Sequence, residues 1–295
     1  MFNDLATVSL IAITFLAAVV NGGLGYGFSS ISVPVALMFY ANRILNPAFV
    51  LVEVALNGYM LFINRRSVPL AWRRVLPIIG GLVFGVLVGS QLLSMANPEW
   101  LKFLTYVILL PLILLQAAGV RRPIQSERLV GVPFGAGVGL LYSLTTISGP
   151  PLALMFNNQG YVKEEFRAAL ALIRVAESSL TAIVYYWLGL YSSDSTHILV
   201  SIFPSVVMGV PLGAYIIRHM PVETFRRICM SFDAWIVGFG LSRVLIGLQL
   251  IPSPRAYGVW FSVALIDTYL LYLYFGNRRT VVPLPAGNRH EGNRP

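Results

Sequence analysis

Apolar stretches of about 20 residues recur from one end of this sequence to the other, and the connections between them are too short to form a water-soluble domain. A helix of that length crosses the hydrocarbon core of a bilayer with every backbone group paired internally. The windows fall at residues 47–64, 75–95, 99–119, 166–189, 196–217, 225–248 and 257–275. With 57% hydrophobic residues, 11% charged residues and a mean hydropathy of +0.74, the solvent for this chain is lipid. The expected fold is all-α and polytopic, passing several times through the cell membrane, plasma or inner. The opening run "MFNDLATVSLIAITFLAAVV" lacks the basic start and the cleavage site of a signal peptide, so it is expected to remain as structure.

Several function classes lose support at once. One cysteine, Cys229, excludes an internal disulfide, and His197, His219 and His290 show no ligand spacing, so neither a metal nor a cofactor is expected. No phosphate-binding loop is present, which argues against a nucleotide motor. An intramembrane enzyme would need a nucleophile with its base, or paired aspartates, at one depth, and no such set is visible. The net charge of +9 comes largely from arginines in short connections beside apolar runs. Such a pattern reads as cytoplasmic loops facing anionic lipid, not as a nucleic-acid surface.

Two apolar segments do not read as simple spans. Residues 5–40 are interrupted by "NGGLGYGFSS" and residues 129–157 by "GAGVGLLYSLTTISGPP". Glycine and proline at that density break a helix and leave half-helices with unpaired backbone groups. The arginines indicate how these segments sit. Arg65, Arg66, Arg73 and Arg74 form one group, Arg121, Arg122 and Arg128 a second, Arg218, Arg226 and Arg227 a third, and Arg278 with Arg279 a fourth. Placing all four in the cytoplasm makes residues 129–157 begin and end on that side, and 29 residues are too few for two crossings of about 20 residues each. A re-entrant hairpin follows, and residues 5–40 become its counterpart from the outside, as a hairpin or a tightly bent helix pair.

The two segments also repeat each other. "FSSISVPVALMF" (28–39) returns as "LTTISGPPLALMF" (144–156), "LVEVALN" (51–57) aligns with "LIRVAES" (172–178), and "GVLVGSQLLSMANPEWLKF" (85–103) with "GVPLGAYIIRHMPVETFRR" (209–227). Each half is then a broken hairpin plus three spans, with limits near 1–120 and 121–250, followed by an extra helix and polar tail at 251–295. Three crossings per half invert the second copy relative to the first, a device of secondary transporters.

The breaks carry the candidate chemistry. Where a helix begins inside the membrane, its first N–H groups and its dipole favour an anion. Ser29, Ser30 and Ser32 before Pro34, and Thr145, Thr146 and Ser148 before Pro150, supply hydroxyls there. Gly25, Gly27 and Gly149 would let a ligand approach the backbone. The alternative is that these small residues only cap and pack the broken helices. Ionisable residues within spans add three candidates, since a charge at mid-membrane faces a cavity or a partner. Arg174 is the candidate fixed cation, and Glu53, its counterpart in the repeat, or Glu177, one turn further on, the candidate proton-responsive group. A salt bridge that merely joins helices is the alternative. Asn57 and Ser178, also equivalent, are candidate donors or a helix-to-helix hydrogen bond. Asp233, Arg243 and Asp267 read as helix-pairing residues, and the tryptophans at 72, 100, 187, 235 and 260 as interfacial anchors.

A glycine-rich break followed by a short hydroxyl-and-proline segment, once in each half, resembles the TauE/SafE family of sulfite exporters over about residues 5–248. The chain departs from that family in its ninth apolar segment and in the looser glycine run "NGGLGYGFSS". The resemblance implies a membrane anion transporter, not an enzyme, for sulfite or an organosulfonate such as sulfoacetate. The expected mechanism is alternating access at a midplane site; the expected partners are a small anion and the lipid bilayer, with a homodimer compatible. A passive anion channel, or a carrier of small carboxylates, is the alternative.

Overall fold

The computed structural model describes residues 4–118, 127–158, 163–216, 219 and 222–277. Arg121, Arg122, Arg218, Arg278, Arg279 and the polar tail lie outside the described residues, as do the side chains of Arg128 and Arg226. Among the described residues there is no strand; the chain folds into eleven α-helices. They are α1 (Asp4–Leu24), α2 (Phe28–Ala36), α3 (Asn42–Asn64), α4 (Val68–Met95), α5 (Pro98–Ala117), α6 (Glu127–Thr145), α7 (Gly149–Asn158), α8 (Lys163–Trp187), α9 (Ser193–Ile216), α10 (Val222–Gly247) and α11 (Tyr257–Asn277).

Among the described residues, seven apolar segments are long enough to cross a membrane. One of them covers 54 residues, 42–95. As a single helix it would run about 80 Å, so it crosses twice, turning at a short 3-10 helix, Arg65–Ser67. The exterior matches that solvent: Phe84 and Val88 on α4 and Val200 and Val207 on α9 are exposed, as suits contact with lipid. The protein is a multi-pass membrane protein.

The broken segments differ from the sequence expectation of two half-helices each. Their first arms are long, 21 residues in α1 and 19 in α6, and only α2 (9 residues) and α7 (10 residues) are half-length. The reason is that each break falls late in its apolar run. Two further expectations change. Arg73 and Arg74 sit on the first turns of α4 instead of in a loop, and Arg74 pairs with Glu165 of α8 at 2.9 Å. Arg227 belongs to α10 and is buried, paired at 3.0 Å with Asp267 of α11, which also accepts from the Trp235 indole. Charge at a helix end looks like a loop in sequence until its partner is known.

α1 to α5 and α6 to α10 follow one another with the same order of long, short and long elements, and their packing is exchanged. α1 lies against α9, while its counterpart α6 lies against α4; α3 also touches α9, and α8 touches α4. α3 and α8 meet at the centre, α5 meets α10, and α11 covers α10. The two outer pairings are backbone-to-backbone. A Cβ on Gly85 would collide with the Ala136 carbonyl and come within 2.6 Å of the Leu140 nitrogen. On Gly209, aligned with it in sequence, it would come within 2.7 Å of the Ala18 Cβ, 2.8 Å of the Phe15 carbonyl and 3.2 Å of the Val19 nitrogen. Phe15 and Ala136 stand equally far from the C-terminal ends of their helices.

Such contacts have no side chain that can yield, and overpacking typically costs about 1–3 kcal/mol. Gly85→Leu is therefore expected to lower stability by about that amount, measured by thermal unfolding in detergent, whereas Gly80→Ala, where an added Cβ meets nothing within 4 Å, is expected to be neutral or better.

Candidate functional site

The first break is made by glycine. Gly25 (φ 83°) and Gly27 (φ 104°) hold left-handed conformations that side chains resist, and α2 starts directly after them at Phe28. The second break has no such pair. Thr146 takes the left-handed turn at φ 58°, a strained conformation for a β-branched residue, and α7 starts only at Gly149. This shifts the hydroxyls relative to the sequence alignment. Ser29, Ser30 and Ser32 lie inside α2, whereas Thr145 ends α6 and Thr146 and Ser148 lie in the break. Pro34 consequently sits in the second turn of α2, not the first; Pro150 does occupy the first turn of α7.

The hydroxyls divide by what they bond. Ser32 donates to the Phe28 carbonyl, Thr145 to the Leu141 carbonyl and Thr146 to the Thr145 carbonyl, all local backbone bonds. Ser29 and Ser148 instead reach across to carboxylates. Ser29 donates to Glu53 Oε1 at 2.6 Å, and Ser148 donates to Glu177 Oε1. Ser30 is buried in α2 and lines a small recess beside Tyr26 and Gly27.

Between these serines stands Arg174, 2% exposed, with Glu53 and Glu177 wholly buried. Its Nη2 is 2.8 Å from Glu53 Oε1 and its Nε 3.9 Å from Glu177 Oε1. Its Nη1 reaches Asn21 Oδ1 and the Gly25 carbonyl, each at 3.5 Å. Tyr142 donates to Glu53 Oε2 at 2.7 Å. One guanidinium thus touches the end of α1, and its partner Glu53 is held by residues from both halves. Glu53 is fully supplied with donors, whereas Glu177 Oε2 is buried without a hydrogen-bond partner. The salt bridge weighed from sequence is present, and the Asn57 amide makes helix-to-helix bonds, at 3.3 Å to the Arg174 carbonyl and 3.4 Å to Ser178. Gly149 brings the breaks into contact: a Cβ there would lie 3.2 Å from the Tyr26 ring and 3.8 Å from the Gly27 nitrogen.

The backbone ends left by the breaks are also provided for. Asn46 and Asn42 donate to the Leu144 carbonyl at 2.6 and 3.3 Å, and Tyr185 donates to the Ser143 carbonyl. At α2 no side chain caps the N-terminus, because Gly27 has none to offer. Asn21 and Tyr142 are the site residues that sequence reasoning passed over. Both lie on the arm just before a break, one turn or less from its hydroxyls or glycines, which is the signal that points to them. Asp233, by contrast, makes no ion pair with Arg243, which is exposed on α10.

The sequence model of the sulfite exporter TauE/SafE family matches residues 10–241, from the first turns of α1 into α10, leaving α11 outside. The chain is 28% identical over 242 residues to the probable sulfite/organosulfonate exporter TauE of Cupriavidus necator strain H16, an alignment covering 81% of this chain and 88% of that protein. No solved structure matches the chain. Helices of membrane-spanning length, two breaks brought into contact and a family match over most of the sequence lead to one conclusion: the chain belongs to the sulfite exporter TauE/SafE family of membrane transporters.

Proposed function

We propose that this protein is a secondary transporter exporting a small sulfur oxyanion or organosulfonate across the plasma or inner membrane. In this reading α1–α5 and α6–α10 are inverted repeats, and the substrate site lies at mid-membrane between the two breaks. The observation that carries it is the buried Arg174 between Glu53 and Glu177, at the junction of both breaks. "Anion" is supported by the guanidinium, by the uncapped α2 N-terminus and by the hydroxyls of Ser29 and Ser148. "Sulfur" comes from the family and from the name of the Cupriavidus relative.

The charge balance sets the mechanism. With both carboxylates ionised, two negative groups face one positive group, and a third anion would be repelled. One proton on the unpartnered Oε2 of Glu177 brings the cluster to neutrality. The anion then shares the Arg174 guanidinium with Glu53, which keeps the Tyr142 hydroxyl, and is joined by Ser29, Ser148 and the α2 N–H groups. Proton and anion therefore bind together, and each raises the affinity for the other. The contact that the substrate competes with joins α3 to α8, so its arrival loosens the centre of the bundle. Alternating access follows when the helices on either side rock about that seam.

Neutralising only one partner leaves a buried charge uncompensated, which costs about 3–5 kcal/mol. Arg174→Gln and Glu53→Gln are each expected to lower the melting temperature, and the double variant by less than their sum. That double variant, folded but without the guanidinium, is expected to lose binding and flux of sulfite and alkylsulfonates in proteoliposomes; full anion affinity there would reduce Arg174 to a structural residue. For an alkylsulfonate, which stays ionised throughout, affinity is expected to rise as pH falls. Glu177→Gln is expected to bind with no pH dependence, and a variant that keeps the wild-type pH profile would remove Glu177 from the coupling.

A further inference from the structure

Seven residues before Arg174, on the same face of α8, stands a second arginine with different surroundings. Arg167, Leu170, Ala171 and Arg174 follow the i, i+3, i+4, i+7 spacing of one helix stripe. Arg167, Leu170 and Ala171 line a cavity of about 410 Å³. It lies among the last turns of α1 and α3, the first turns of α8 and the end of α9. Among the described residues no carboxylate lines it. Arg167 has no hydrogen bond or ion pair among the described residues, in contrast to Arg174.

The cavity and the buried cluster share a wall. Gly25 lines the cavity, and its carbonyl accepts from Arg174 at 3.5 Å, so the inner guanidinium lies one peptide beyond the floor. Along α8 the two arginines are separated by about 10 Å. The cavity is also at the end of the bundle where Arg65 and Arg66 join α3 to α4, the end that loop charge assigns to the cytoplasm. A space of this size holds a small organic molecule with room beyond a bare oxyanion. Its lining sets the Arg167 cation beside apolar walls from Met60 and Leu170.

We propose that this cavity is the cytoplasmic loading site for an organosulfonate, with Arg167 binding the sulfonate and Met60 and Leu170 covering a short aliphatic body. The inference rests on the transporter reading above and adds to it a first station for the substrate. The sulfonate is held at Arg167 before it reaches Arg174, and the positive charge of Arg167 draws anions towards the break. Because Arg167 makes no hydrogen bond or ion pair among the described residues, its role is separable from folding.

The test is flux of a short alkylsulfonate and of sulfite in vesicles that expose the cytoplasmic face, comparing wild type with Arg167→Gln, Arg167→Lys and Ala214→Trp. Arg167→Gln is expected to raise KM for the alkylsulfonate about tenfold, with turnover at saturation within about twofold and the melting temperature unchanged. Arg167→Lys is expected to recover most of the affinity. Ala214→Trp, which fills the cavity, is expected to impair the alkylsulfonate more than sulfite. Wild-type flux that Arg167→Gln leaves at the same KM overturns the loading site while sparing the transporter reading. Equal loss of KM and turnover with a lowered melting temperature also overturns it, by making Arg167 structural. A wild-type protein that moves neither anion overturns both.

Discussion

The ion pair between Arg174 and Glu53 is the interaction on which the rest of this structure depends. Neither charge is tolerable alone in hydrocarbon, and neither lies in the same half of the chain as the other. Their 2.8 Å contact fastens α3 to α8 at the point where the halves meet. Around it, Ser29 and Tyr142 complete Glu53, and the Gly25 carbonyl and Asn21 complete Arg174. The two residues occupy the same place in the repeated sequence. Had that place kept one residue type in both copies, like charges would face each other across the α3 and α8 contact. Under the inverted-repeat reading, divergence at this one position lets the two halves set opposite charges against each other across the α3 and α8 contact.

The same divergence shows in how the breaks are built. Glycine gives the first break its turn without strain, so α2 begins early and its serines enter the helix. Threonine makes the second turn, α7 begins later, and Ser148 stays in the break. Both solutions nevertheless deliver one serine hydroxyl to one carboxylate, Ser29 to Glu53 and Ser148 to Glu177. Strain at Thr146 persists because its surroundings hold it: the carbonyls just before it are bound by Asn42, Asn46 and Tyr185.

These differences explain what could be read from the sequence and what could not. Span positions follow from length and hydropathy, which are local, and α3, α5 and α8 to α11 fall where the apolar windows place them. Glu53, Arg174 and Glu177 stand out because the cost of burying a charge is visible in sequence. Their partners are not visible: Asn21 and Tyr142 join them across 153 and 89 residues. Nor is the register of the hydroxyls, since aligning "FSSIS" with "LTTIS" ignores that glycine and threonine turns end at different residues. Arg227 was misplaced for the same reason, as only Asp267 on α11 reveals that it is buried.

The packing also restricts what can move. α1 with α9, and α6 with α4, are locked through glycine to the partner's backbone, and each such pair takes one helix from each half. α3 joins the first pair and α8 the second. Under the proposed cycle the moving bodies are then mixed groups, α1, α3 and α9 against α4, α6 and α8, and not one half of the chain against the other. The seam between them is the α3 and α8 contact, held by Arg174 on Glu53 and by Asn57 on Ser178. Under the proposed cycle, a substrate that competes with Glu53 for Arg174 acts on this seam. Binding and release of the two bodies then become the same event, which is what couples an anion at the centre to access from either side.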